Sequence, residues 1–199
     1  MCLLLDTETT GLKPPIEVIE LAYVQLPLKG TEFPFKHKDC LNFALFDVKS
    51  KEELGIVHER LKPSGKIDPF ASNIHGIYFK DLIHCRPSNE LILPEGVRTF
   101  MGYNVNFDHR VLGKPNVNLI CLMQIAKKLW KGEKDLVNFK LTELIKFLYP
   151  EQGKAWVENA HGAVVDVNLT YLVLLKVIEK LPKLSSLGEL VKLTSQPKA

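Results

Sequence analysis

Three leucines, Leu3 to Leu5, run straight into two closely spaced acids, Asp6 and Glu8, in the opening stretch LLLDTETTGL. An apolar run bounded by a glycine-containing turn reads as a buried strand. Residues two apart in a strand point to one face, so Asp6 and Glu8 would share a patch. Two like charges at that spacing repel, and the pKa of either rises unless a cation or solvent compensates. The alternative is a polar turn, with Thr and Asp capping local backbone groups and Gly11 supplying a positive φ. Only partners elsewhere in the chain decide between the two.

A chain of 199 residues is long enough to bury a full core as one domain with at most a small appendage. Hydrophobic residues at 46% and charged residues at 25% describe an ordinary globular protein and exclude disordered or collagen-like classes. The net charge of +3 suits a polyanionic partner without demanding one. The start MCLLLDTE has no basic region and its apolar stretch stops at Asp6, so no signal peptide is expected. Nothing approaches the roughly 18 apolar residues of a membrane span, and a reducing, cytoplasmic compartment is expected. Cys2, Cys40, Cys85 and Cys121 are far apart and form no CxxC pair. His37 with Cys40, and His84 with Cys85, lack the regular spacing of a zinc site.

Further strands are expected over Ile16 to Leu26, Gly55 to Pro63, Phe100 to Val105 and Asn118 to Met123, with a surface insertion over 28–54. Helical periodicity takes over in MQIAKKLW, LTELIKFL and GAVVDVNLTYLVLLKVIEKL. Strands followed by interleaved helices give an α/β domain with a mixed sheet between helices. The division expected is a domain over 1–182 and a short helix with a polar tail over 183–199.

Two more acids have surroundings wrong for a solvated surface. Asp108 lies in GYNVNFDHRVL between an aromatic residue and an apolar stretch. Asp166 lies in the first turns of an otherwise apolar helix, five residues after His161. A charge there must be paired, exposed at an end, or bound to something, although a first-turn acid also suits the helix dipole by itself.

Taken together, DTETTGL, GYNVNFD and HGAVVDV resemble the three motifs of the DEDD-type 3′ to 5′ exonucleases, and His161 marks the DEDDh, or DnaQ-like, branch. The motifs occur in the family's order, and the resemblance spans about Met1 to Lys180. FDHRVL, ICLMQIAKKLW and LVKLTSQP are similar to a DNA-directed member of that branch. Two departures are visible: family members usually carry His-Asn where this chain has Tyr103-Asn104, and the 28–54 insertion has no clear counterpart.

The resemblance implies an RNase H-like mixed β-sheet flanked by α-helices. It implies two divalent ions, Mg²⁺ or Mn²⁺, held by Asp6, Glu8, Asp108 and Asp166, with His161 as general base. Four carboxylates are hard oxygen donors suited to those ions, and an imidazole titrates near working pH. Substrate contacts are expected from Thr9, Gly11, Leu12, Ile74, His75, Asn104 and Phe107. Lys127, Lys128, Lys131 and Lys134 either track phosphates or form a solvated face. The implied partner is nucleic acid, DNA ahead of RNA, and not a membrane; a homodimer and association with polymerase or repair proteins stay open. Exoribonuclease, proofreading subunit and non-catalytic binding module are the alternative readings.

Overall fold

The computed structural model describes residues 1–26, 56–158, 160–184 and 186–195. The expected insertion, 28–54, lies outside the described residues. Strand β1 (Cys2–Thr9) pairs antiparallel with β2 (Val18–Leu26), which pairs antiparallel with β3 (Ile56–Lys62). Helix α1 (Pro69–His75), the short β4 (Arg86–Pro87) and β5 (Thr99–Gly102) follow. Helix α2 (Val105–Val111), β6 (Asn118–Cys121), α3 (Leu122–Leu129), α4 (Leu141–Leu148), α5 (Gly153–Trp156), α6 (Ala163–Lys180) and α7 (Leu187–Ser195) complete the order. The strands form one mixed sheet, β4-β3-β2-β1-β5-β6, in which β1, β5 and β6 run parallel.

The leucine run is buried because both faces of β1 are covered. Cys2 and Leu4 pack in the cluster that contains Val167, Val173 and Val177 of α6, whereas Leu3 and Leu5 pack on the other side with Phe100 and with Val105 of α2. Alternation along β1 therefore sends Asp6 and Glu8 toward the α6 side and Thr7 toward the α2 side. Eighteen residues of α6, apolar almost all round, fit a helix enclosed by the sheet, α3 and α4.

Two expected strands are shorter than their apolar runs. Phe100 to Val105 is strand only to Gly102, and Asn118 to Met123 only to Cys121; α2 and α3 begin almost at once. Such short runs do not distinguish a strand from the first turn of a helix. The abrupt turn after β5 depends on Gly102, where a Cβ would lie 3.0 Å from the Leu5 carbonyl oxygen and 3.3 Å from Val105 Cβ. A larger residue would push α2 away from β1. Helix α1, not anticipated, has a local start signal: Asp68 caps it by accepting the Phe70 amide at 2.8 Å, with Pro69 at the first position. Helix α7 packs through the fully buried Leu190, and its Thr194 hydroxyl accepts the Cys121 amide at 3.2 Å. No helix among the described residues is long and apolar enough to cross a membrane.

Candidate active site

The carboxyl end of β1 carries Asp6 and Glu8 on one face, and the first turn of α6 brings Asp166 against them. One carboxylate oxygen from each of the three lies within 4.8 Å of the others. Asp108 reaches the same end of β1 from the opposite side. It is 4% exposed, and its Oδ1 accepts a 2.7 Å hydrogen bond from the Thr7 hydroxyl. Thr7, between the two acids in sequence, thus holds the acid of the second motif, GYNVNFD, behind the strand. His161 precedes Gly162, the N-cap of α6; its side chain is exposed and its φ is +76°. Its backbone amide donates to Asp166 Oδ1 at 3.3 Å.

The electrostatics follow from this crowding. Burial first, then Asp108, Asp166, Glu8 and Glu20, pushes the Asp6 carboxyl well above the usual carboxylate range. Burial, then Asp166, Glu20 and Asp108, pushes Glu8 up to about 9. Burial raises Asp108 to about 6 against the lowering effect of Thr7. Burial also raises Asp166, partly offset by His161. Acids held this way favour protonation or a cation.

Two basic side chains on β3 are engaged by Glu20. His58 Nε2 and Arg60 Nε lie 2.8 and 2.9 Å from Glu20 Oε1. The Asp6, Glu8 and Asp166 donor set is all hard oxygen, which fits a hard divalent cation better than a softer metal. Among the described residues no histidine or cysteine forms a metal-sized group, so His84 and Cys85 build no zinc site; His37 and Cys40 lie outside the described residues.

The expected substrate residues surround this end of the sheet unevenly. Thr9 and Gly11 are buried, with the Thr9 hydroxyl donating to the Gly11 carbonyl at 3.1 Å. Leu12 is 72% exposed and Ile74 44%, large apolar side chains in solvent. His75 Nδ1 accepts the Ile77 amide at 3.0 Å, and burial lowers its pKa. Asn104 is exposed, and Phe107 is half-buried beneath the Arg110 guanidinium at 5.1 Å. Tyr103, where the resemblance leads one to expect histidine, turns away into the core and donates its hydroxyl to the Phe139 carbonyl at 2.7 Å. Lys127, Lys131 and Lys134 are exposed, whereas Lys128 Nζ donates to the Leu193 carbonyl and so ties α3 to α7.

Sequence reasoning missed Glu20. It is 3% exposed, lies opposite Glu8 in the β1–β2 register, and accepts the Ala163 amide on Oε2 at 2.9 Å. The signal was present: an acid between Ile19 and Leu21, in the middle of a strand, needs the same explanation as Asp6.

No family model matches the chain. Exodeoxyribonuclease 10 of Escherichia coli K12 is 28% identical over 136 residues, which cover 67% of this chain and 50% of that protein. The chain thus spans about half the length of the curated relatives it matches. Among solved structures, exonuclease X in complex with 5′ overhanging duplex DNA superposes with a TM-score of 0.69 at 23% identity, covering 98% of this chain and 100% of that one. The nuclease domain of 3′hExo, a DEDDh family member bound to rAMP, superposes with a TM-score of 0.56 at 14% identity, covering 89% and 91%. The chain has the RNase H-like fold of the DEDDh exonucleases, and its sequence resembles exonuclease X.

Proposed function

We propose that the protein is a metal-dependent 3′ to 5′ DNA exonuclease that releases nucleoside 5′-monophosphates. The observation that carries this reading is the convergence of Asp6, Glu8 and Asp166 within 4.8 Å at the strand end. In this reading Asp6, Glu8, Asp108 and Asp166 would hold the two divalent ions, Mg²⁺ or Mn²⁺, with Asp6 shared and Asp108 acting partly through water. When bound, the ions supply neutralisation of phosphate charge and a water that is nucleophilic near neutral pH.

The protein's own part of the chemistry falls to His161. Its imidazole takes a proton from the attacking water, whose oxygen bonds to phosphorus as the bond from phosphorus to the 3′ oxygen breaks, the departing 3′ oxygen taking a proton from solvent water. Exposure of His161 ahead of α6, in a loop and not within the helix, leaves the ring free to reach an incoming phosphodiester. Its left-handed backbone is a conformation that non-glycine residues adopt at a cost, and such costs concentrate at functional sites. Thr9, Gly11, Leu12, Ile74, His75, Asn104 and Phe107 contact the terminal nucleotides, with the exposed Leu12 and Ile74 packing on bases. Lys127, Lys131 and Lys134 contribute general attraction to the phosphate backbone.

DNA is favoured because the sequence relative is an exodeoxyribonuclease. RNA is the second reading, favoured by the rAMP-bound DEDDh domain of the same fold, since the two differ in how the site treats the 2′-hydroxyl. The free thiols of Cys2, Cys85 and Cys121 suit work in a reducing cytoplasm, in repair or nucleotide recycling. Digestion of end-labelled single-stranded DNA, duplex DNA and RNA side by side with Mg²⁺ tests the proposal. Loss of label from the 3′ end of DNA, abolished by EDTA, is expected. Hydrolysis that persists in excess chelator, or that acts only on RNA, overturns it.

A further inference from the structure

Glu20 lies beneath the acid cluster and belongs to none of the roles above. Both of its oxygens are occupied: Oε1 accepts from His58 Nε2 and Arg60 Nε, and Oε2 accepts from the Ala163 amide. Those donors come from β3 and from the first residue of α6, while Glu20 itself is on β2. One buried side chain therefore joins three elements.

The bond to Ala163 matters most. A helix begins with amides that have no partner inside it, and a side chain just before the helix usually satisfies one. Helix α6 begins after Gly162, which has no side chain to offer, and no local cap is made. Ala163 is fully buried, so water cannot substitute. Glu20, 143 residues away in sequence, takes the place of the missing cap. Its negative charge also suits the positive end of the α6 dipole.

Position in the chain links this cap to chemistry. Ala163 is two residues after His161 and three before Asp166, and Glu20 is the register partner of Glu8. The Glu20–Ala163 bond thus fixes the turn carrying His161 and Asp166 against the strand carrying Asp6 and Glu8. Glu20 is not itself a candidate metal ligand, because its oxygens already face three donors. Burial alone would raise its pKa, but the bonds from His58, Ala163 and Arg60 hold it down at about 2, so it is no proton shuttle either.

We propose that Glu20 is the positioning residue of the site, a remote cap that sets where His161 and Asp166 stand relative to Asp6 and Glu8. The proposal rests on the exonuclease reading for its catalytic consequence, but not for its structural one.

The test compares Glu20→Ala, Glu20→Gln and Glu20→Asp in the full chain, with steady-state kinetics on end-labelled DNA and hydrogen exchange of the Ala163 amide by NMR. Small misplacements of catalytic groups cost about 100-fold in rate. Glu20→Ala is expected to lose about that much kcat, with KM within threefold and a fast-exchanging Ala163 amide. Glu20→Gln, which keeps an acceptor for that amide, is expected to recover most of the rate. A purely structural role would lower the melting temperature of Glu20→Ala yet leave kcat, measured well below melting, within threefold of wild type; that result overturns the proposal. So does a rise in KM at constant kcat. If Glu20→Ala does not fold, Glu20→Asp decides, because its shorter reach must lengthen the bond to Ala163; wild-type kcat in a folded Glu20→Asp also overturns it. A wild-type protein without nuclease activity would sink the exonuclease reading instead. In that case Ala163 protection in wild type and its loss in Glu20→Ala still tests the cap, and slow exchange in both refutes it.

Discussion

Replacing Asp108 with asparagine should stabilise the metal-free protein at pH 8 while abolishing hydrolysis. Asp108 is almost wholly buried and its carboxyl is raised from the ordinary 3.8 to about 6, by burial above all. Keeping it ionised in the folded protein then costs about 3 kcal/mol once the pH is well above 6. Asparagine removes that penalty and still offers an oxygen to the Thr7 hydroxyl 2.7 Å away. It trades one acceptor for an NH2 group where the backbone amides of Thr7 and Asp108 donate, which takes about 1 to 2 kcal/mol off the gain. The balance is about 1 to 2 kcal/mol, or a rise of roughly 2 to 8 °C in melting temperature for a chain of this size. The sign fixes the pH window. A carboxyl whose folded pKa exceeds its unfolded value destabilises the fold only when ionised, so the penalty is absent below about pH 4 and complete above about pH 6. Melting wild type and Asp108→Asn in EDTA at pH 4.5 and pH 8 checks this. The variant should gain at pH 8 and gain far less at pH 4.5, and Mg²⁺ should stabilise wild type more than the variant. An Asp108→Asn protein that melts below wild type at pH 8, or gains equally at both pH values, refutes the crowding argument. Asp108→Ala is the poorer test, because it leaves a buried hydroxyl on Thr7 without its acceptor, at about 1 to 3 kcal/mol.

The same crowding predicts that the metal-free protein loses stability as pH rises from about 4.5 toward 9, the range over which the unfolded chain has released a proton that Glu8 still holds in the fold; a melting temperature that instead climbs through this window in EDTA would contradict it. His161→Asn, chosen because asparagine tolerates the left-handed φ of +76° better than alanine, should retain Mn²⁺ and DNA binding. It should lose roughly 10² to 10⁴ in rate. A wild-type rate in the variant would remove His161 from the mechanism. Gly153→Ala should be strongly destabilising, since its Cβ would meet the Ile145 carbonyl oxygen at 2.7 Å; an unchanged melting temperature would mean α5 shifts freely against α4.

The parts of the fold that were legible in sequence are those that announce themselves locally. The leucine run of β1, the periodic face of LTELIKFL and the long apolar α6 need only neighbours in the chain to be recognised, and the structure has each of them. Where two elements abut without a linker, as at Gly102 to Val105 and at Cys121 to Leu122, the apolar run continues across the boundary and periodicity cannot locate it. Helix α1 escaped because its seven residues give less than two full periods, although Asp68 and Pro69 are a good start signal.

The acids divide in the same way. Asp6 and Glu8 follow from a two-residue period, and Asp166 from its place at the head of an apolar helix. Asp108 could be picked out as an anomalous acid, but nothing in sequence says that it approaches β1 from the face opposite Asp6. That arrangement depends on Thr7 facing α2 and on a glycine permitting the close turn before it. Glu20 is the extreme case. Its three partners lie 38, 40 and 143 residues away, so the residue that caps the helix bearing Asp166 has no local signature beyond being a charge where a strand should be apolar. Buried acids in strands are costly enough that each must have a partner. At this strand end Glu20 is met by three donors, whereas Asp6, Glu8 and Asp166 crowd one another with the His161 amide on Asp166. That difference separates the acid that joins three elements from the acids whose charge is left crowded.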